Sequence, residues 1–212
     1  SKLMSHYPAA SFIKSANLPK QFVADSGAEV AFAGRSNAGK SSAINTIVNR
    51  RGFAKISKSP GRTQLINFFT LREDGQRLVD LPGYGYAKVT MAMKDHWQEL
   101  MGSYFNERQS LAGMFLIVDI RRLLGDFDWQ MVNWGQEVGC PVHILLSKSD
   151  KLKRGPAKAA LLKVTKELEG AASVQLFSSL KKDGTSEARV VLDKFLAQAD
   201  SSMAAKQPEK SI

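Results

Sequence analysis

Gly34-Arg35-Ser36-Asn37-Ala38-Gly39-Lys40-Ser41-Ser42 satisfies the phosphate-loop pattern G-x-x-x-x-G-K-[ST] at every position. Glu29-Val30-Ala31-Phe32-Ala33 precedes it, a short apolar run that reads as a buried strand. The residues from Ser42 to Asn49 follow it, with apolar side chains at 43, 44, 47 and 48, which is helical spacing. The motif therefore has the strand–loop–helix setting that its chemistry needs. Gly34 and Gly39 allow a tight turn whose successive N–H groups form one concave nest. A helix starting near Lys40 adds its positive end. Lys40 is expected to reach the β- and γ-phosphates of a nucleotide, and the Ser41 hydroxyl to ligate Mg²⁺.

Working outward, the 212 residues suffice for one α/β domain, and 43% hydrophobic with 24% charged residues is an ordinary globular composition. No apolar run approaches the roughly 20 residues of a membrane span. No charged segment followed by an apolar core opens the chain, and Cys140 is its only cysteine, so a cytoplasmic location is expected. The net charge of +10 favours a polyanionic partner, RNA or DNA before a membrane surface.

Residues 1–22 read as an N-terminal extension, 23–200 as the nucleotide-binding domain and 201–212 as a polar C-terminal tail. The loop from Arg50 to Arg62 is basic and broken by Gly52 and Pro60-Gly61. Leu65 to Leu71 and Gln76 to Asp80 read as a hairpin about Glu73-Asp74-Gly75. Helices are expected over Met91–Gln109, Asp126–Val138 with Asp126 as a cap, Gly155–Leu168 and Ser186–Ala199. Buried strands are expected over Met114–Asp119, Pro141–Ser147 and Ser173–Phe177. Alternating strands and helices predict a mostly parallel six-stranded sheet with one antiparallel hairpin strand and helices on both faces. In such sheets ligands sit at the carboxyl ends of the strands.

Four further elements fall at such ends. Asp80-Leu81-Pro82-Gly83 follows Lys40 by 40 residues; Asp80 can hold Mg²⁺ through a water and Gly83 can donate its N–H to the γ-phosphate. Ser147-Lys148-Ser149-Asp150 ends a strand. There Asp150 can accept from the ring N–H and exocyclic amine of guanine, and the Lys148 stem can cover the base. Adenine lacks those donors, so such a site discriminates by about 10⁴-fold or more. The usual pattern is [NT]-K-x-D, with Ser147 here in first place. Phe177-Ser178-Ser179-Leu180 can offer amides near Ser179 and Leu180 to the guanine oxygen. Thr63, within Pro60-Gly61-Arg62-Thr63-Gln64-Leu65, can supply a second Mg²⁺ ligand whose release on loss of the γ-phosphate makes a switch.

With these residues the chain resembles the EngB/YihA/YsxC family of bacterial P-loop GTPases. The resemblance is carried by residues 34–42, by Pro60 to Asn67, by Asp80-Leu81-Pro82-Gly83-Tyr84-Gly85-Tyr86-Ala87 and by Phe177 to Lys182. It spans about residues 12 to 198. It implies a monomeric cytoplasmic GTPase using Mg²⁺, acting in large ribosomal subunit assembly and needed for normal cell division and septation. The nucleotide-binding set it implies is Gly34 to Ser42, Gly61, Arg62, Thr63, Gln64, Leu65, Asp80, Leu81, Pro82, Gly83, Ser147 to Asp150, Ser178, Ser179 and Leu180. Lys40, Thr63 and Gly83 act on the reacting phosphate, and Ser41, Thr63 and Asp80 serve the metal. Tyr84 stands where Ras-like proteins carry a water-orienting glutamine, so slow intrinsic hydrolysis is expected. Asn37 matches the asparagine of related GTPases that bind K⁺ beside the phosphates, or it only shapes the loop.

Two other readings compete. A P-loop kinase or ATPase would need an adenine pocket, which Asp150 opposes. A basic RNA-binding module that retains nucleotide without switching would bind RNA alike with GTP, GDP or neither. His6, His96 and His143 do not have a metal-binding spacing. The three tryptophans read as packing or partner-facing residues.

Overall fold

The computed structural model describes residues 6–55, 64–83 and 89–205. Among the described residues there are seven strands and five α-helices. They are β1 (Ser11–Ala16), β2 (Ala28–Gly34), α1 (Lys40–Val48), β3 (Ile66–Arg72), β4 (Gln76–Asp80), α2 (Met91–Glu107), β5 (Leu111–Asp119), α3 (Asp126–Val138), β6 (Val142–Ser147), α4 (Arg154–Leu168), β7 (Ser173–Leu176) and α5 (Thr185–Ala205), alternating from β4 onward. One sheet has the order β1-β3-β4-β2-β5-β6-β7. β2 pairs parallel with β4 and β5, and β6 continues the parallel run to β7. β3 runs antiparallel to β4, and β1 antiparallel to β3.

The sheet thus has one strand more than the six expected. The extra strand is β1, inside the segment read as an extension. Its first four residues are exposed, so neither face shows the apolar alternation that marks a half-buried strand. The helix expected from Ser186 to Ala199 begins at Thr185 and runs on to Ala205, into the stretch read as a tail. Asp126 does not cap α3. The carboxylate of Asp128, one turn in, instead accepts from the N–H of Gly125 at 2.9 Å, so the first acidic residue is not the one that reaches back.

The two faces of the sheet carry separate cores. Along β2, Ala31 and Ala33 face a core built with α2, α3 and α4. Val30 and Phe32 face the other, built with α1 and α5. The strand is buried at every position, as a central parallel strand must be. Gly113 on β5 is a close-approach glycine: a Cβ there would lie 2.4 Å from the Phe195 ring of α5. At the amino end of the strands, fully buried Glu29 accepts from Arg77 Nη2 at 2.7 Å, Arg108 Nη2 at 2.9 Å and Tyr104 Oη at 2.7 Å. A buried carboxylate requires such partners. This leaves the opposite, carboxyl edge for the site.

Candidate nucleotide site

At that edge β2, β4, β5 and β6 end in Gly34, Asp80, Asp119 and Ser147. Gly39 is the N-cap of α1 with φ +96°, a left-handed conformation that glycine adopts without strain. Asn37 is also left-handed, at φ +66°. The loop is held by the Ala38 N–H donating to Arg35 O at 3.1 Å. Lys40, Ser41 and Ser42 form the first turn of α1, whose leading amides have no intrahelical acceptor. They are the donors of an anion site.

Asp80 and Gly83 come to this loop from β4. Lys40 Nζ donates to Asp80 Oδ1, and both side chains are largely withdrawn from solvent. A Cβ built on Gly83 would lie 3.6 Å from Gly34 O and 3.9 Å from Ser36 N, which puts Gly83 directly over the loop. Leu81 donates its N–H to Phe32 O at 3.0 Å, and its side chain is in the core. Because β3 is antiparallel to β4, with Asn67 opposite Asp80, the chain enters β3 at this same edge. Gln64 and Leu65 stand directly before it. The Ser41 hydroxyl donates to Lys55 O at 3.3 Å, at the start of the loop between α1 and β3. Gly61, Arg62, Thr63 and Tyr84 lie outside the described residues.

The Ser147–Asp150 segment is joined to the loop that precedes α1. The Ser147 hydroxyl lies 2.5 Å from Ala38 O and 3.2 Å from Val118 O. Lys148, left-handed at φ +58°, donates from Nζ to Asn37 O at 2.7 Å. Its Nζ lies 3.5 Å from Asp119 Oδ2. Ser149 and Asp150 belong to a single 3₁₀ turn, Ser149–Lys151. Asp150 Oδ1 accepts from the Ser178 hydroxyl at 2.7 Å, so the segments after β6 and β7 form one unit. Ser178 Oγ in turn accepts from the Lys181 N–H at 3.0 Å. Among the described residues the amides of Ser179 and Leu180 have no partner, and Leu180 is exposed.

Two residues here were not singled out in the sequence. Asp119 accepts from Arg121 Nη2 at 2.9 Å. Burial opposes its charge, but the Arg121 guanidinium and amide and the Lys148 ammonium hold its carboxyl below the ordinary range. Its signal was available, since it ends an apolar strand as Asp80 does. Asp128 is 1% exposed, and its Oδ1 has no hydrogen-bond partner among the described residues. It lines a cavity of about 20 Å³ behind the loop with Arg35, Ser36 and Asn37. Burial pushes its carboxyl up to about 6, opposed by the Gly125 N–H and by Arg35. No spacing could show that.

A doubly covered, mostly parallel sheet with a G-x-x-x-x-G-K-S loop, a D-x-P-G turn and a K-x-D segment at one edge has the arrangement of a P-loop GTPase. A family profile described as 50S ribosome-binding GTPase matches residues 29–148. The chain is 52% identical over 196 residues to a probable GTP-binding protein EngB of Methylobacillus flagellatus, covering 91% of this chain and 94% of that one. It belongs to the EngB family of GTPases, and binds and hydrolyses GTP as that family does. A crystal structure of a probable GTP-binding protein EngB shares the fold at a TM-score of 0.61, with 20% identity, over 81% of this chain and all of that one. Era in complex with MgGDPNP and nucleotides 1506–1542 of 16S ribosomal RNA is similar at a TM-score of 0.57. That match has 20% identity and covers 78% of this chain and 56% of Era. No helix among the described residues is long and apolar enough to cross a membrane.

Proposed function

We propose that this GTPase is a monomeric, cytoplasmic switch in large ribosomal subunit assembly, through which it serves normal cell division and septation. The observation that carries the switch is the Lys40–Asp80 ion pair. Lys40 cannot serve a γ-phosphate and Asp80 at once with full strength. Nucleotide binding therefore draws Lys40 towards phosphate and frees the Asp80 carboxylate. Ser41 and Asp80 are oxygen donors at the phosphate end, the donor type that Mg²⁺ prefers, with Asp80 acting through water. When bound, Mg²⁺ neutralises charge on the β- and γ-phosphates.

The remaining roles are assigned from the motifs. The amides of the loop and of the first turn of α1 that have no partner among the described residues cradle the phosphates, and the Gly83 N–H meets the γ-phosphate. Thr63, with Gly61, Arg62, Gln64 and Leu65, is assigned by its motif to the γ-phosphate and metal. Asp150 reads the guanine edge, positioned by Ser178, while Ser179 and Leu180 offer amides to the guanine oxygen. Asn37, left-handed within the loop, is the proposed K⁺ neighbour. If turnover in Na⁺ equals that in K⁺, Asn37 only shapes the loop.

The ribosomal partner is supported by the charge of +10 and by the family's description. The test is co-sedimentation with purified ribosomal subunits at several salt concentrations, with a non-hydrolysable GTP analogue or GDP. Pelleting with the large subunit only in the GTP-like state is expected. Equal pelleting in both states, fading steeply with salt, would favour the basic RNA-binding module that keeps nucleotide without switching.

A further inference from the structure

The surface charge is divided unevenly. Across the 17 residues of α2 and the 13 of α3, Lys94 is the one cation, against the exposed carboxylates of Asp95, Glu99, Glu107, Asp126 and Glu137. The chain as a whole carries +10. The cationic surface that suits RNA therefore lies elsewhere, and this layer repels phosphate.

Between the two helices runs a groove of about 530 Å³, lined by Gln98, Asp126, Trp129, Gln130, Asn133, Trp134 and Glu137. Its only charged lining residues, Asp126 and Glu137, are acidic and exposed and lie three turns apart on α3. Trp129 and Trp134 are half-buried, and both line the groove. Trp134 is seated by the Phe105 ring at 4.8 Å. Gln98, Gln130 and Asn133 add amides able to bond an extended backbone. Indole faces attract guanidinium groups, and carboxylates take them in paired hydrogen bonds.

We propose that the α2–α3 groove docks an arginine-rich segment of a partner protein, with arginine side chains stacked on Trp129 and Trp134 and paired with Asp126 and Glu137. RNA is excluded by the same carboxylates. Arginine is preferred to lysine because a planar guanidinium can stack and pair at once.

The test follows the three indole N–H resonances of the ¹⁵N-labelled full chain with GDP and Mg²⁺, assigned with Trp129→Phe and Trp134→Phe. Trp97 is the internal reference, since it is fully buried and donates to Pro82 O at 3.1 Å. The probe is a short peptide alternating arginine and glycine. The Trp129 and Trp134 signals should move saturably while Trp97 stays. Asp126→Asn with Glu137→Gln should weaken the peptide by about tenfold, the sum expected of two exposed ion pairs. GTP turnover and the thermal midpoint of this variant should be unchanged. Asn133→Lys, which adds a repelling charge to the groove, should weaken the peptide independently. Unmoved Trp129 and Trp134 signals would overturn the proposal. So would undiminished affinity in both charge variants, or a short RNA oligonucleotide moving the same two signals.

Discussion

The Ser147 hydroxyl lies 2.5 Å from the carbonyl oxygen of Ala38, 109 residues away in sequence. One contact therefore ties the proposed base-reading end of the nucleotide site to its proposed phosphate-binding end. With Lys148 Nζ on Asn37 O, the end of β6 and the residue after it hold the loop before α1 by two backbone carbonyls. The serine that departs from the usual [NT]-K-x-D pattern keeps the hydroxyl this contact uses.

Ser147→Ala should loosen that tie. The loss of one buried hydrogen bond is worth about 1–2 kcal/mol. GTP and GDP affinity should both fall by roughly 5- to 30-fold, with the preference for guanine unchanged. Ser147→Thr, which keeps the hydroxyl, should bind nearly as the parent. Fluorescent-nucleotide titration checks both, and unaltered affinity in the alanine variant would remove the role assigned to the contact.

Asp150→Asn should exchange guanine for xanthine nucleotides, because the amide reverses one donor–acceptor pair at the base edge. Against GTP the loss should approach the discrimination of about 10⁴-fold typical of such sites. Ser178→Ala should act in the same direction but far less, by about 1 kcal/mol, since it removes one donor to Asp150. Competition between GTP and XTP reads both.

Lys40→Ala should abolish tight nucleotide binding and also lower the thermal midpoint of the nucleotide-free protein. Without Lys40, the buried Asp80 carboxylate is left uncompensated, a loss on the order of 3–5 kcal/mol for a fully buried pair and less here. Adding Asp80→Asn should restore the midpoint while binding stays lost. A double variant no more stable than the single would show that the ion pair does not support the fold.

Asp128→Asn tests the cavity behind the loop. The folded protein raises this carboxyl to about 6, above its unfolded value, so its proton is bound more tightly when folded. Stability from this group is complete below about pH 4 and is lost as pH rises through about 6. Asparagine cannot ionise and retains an oxygen for the Gly125 N–H. The variant should match the parent near pH 4 and melt higher above pH 7. Equal melting at both pH values would refute the assignment.

Glu29→Gln should destabilise the protein by about 3–5 kcal/mol, because Arg77 and Arg108 then lose their buried counter-charge. The nucleotide affinity of the molecules that remain folded should be unchanged, since the network lies at the amino end of the strands. Denaturant titration alongside nucleotide binding checks this.

What could be read from residues alone depended on how local its cause was. β2, the phosphate loop and α1 were legible because each follows from neighbours in sequence: an apolar run, two glycines, a helical stripe. The placement of Asp80 and Asp150 at the carboxyl edge was legible because Asp80 ends a strand and Asp150 follows one by three residues, each within a motif. β1 was not, since Phe12 and Ile13 are exposed and its strand geometry comes from pairing with β3. The limits of α5 were blurred by a polar sequence that keeps helical geometry to Ala205. The Ser147–Ala38 contact and the burial of Asp128 depend on how distant segments meet, which periodicity does not encode.

The central place of β2 has a consequence for how the chain is made. Both its neighbours, β4 and β5, are synthesised after it, and Glu29 waits for Arg77, Tyr104 and Arg108. The phosphate loop therefore leaves the translating ribosome long before the strands that bury its base exist. Parallel pairing over such separations makes for slow folding. The contact between Asp150 and Ser178 forms later still. Cellular GTP, which stabilises only what binds it, supports the finished chain and leaves one halted before Ser178 without its full protection.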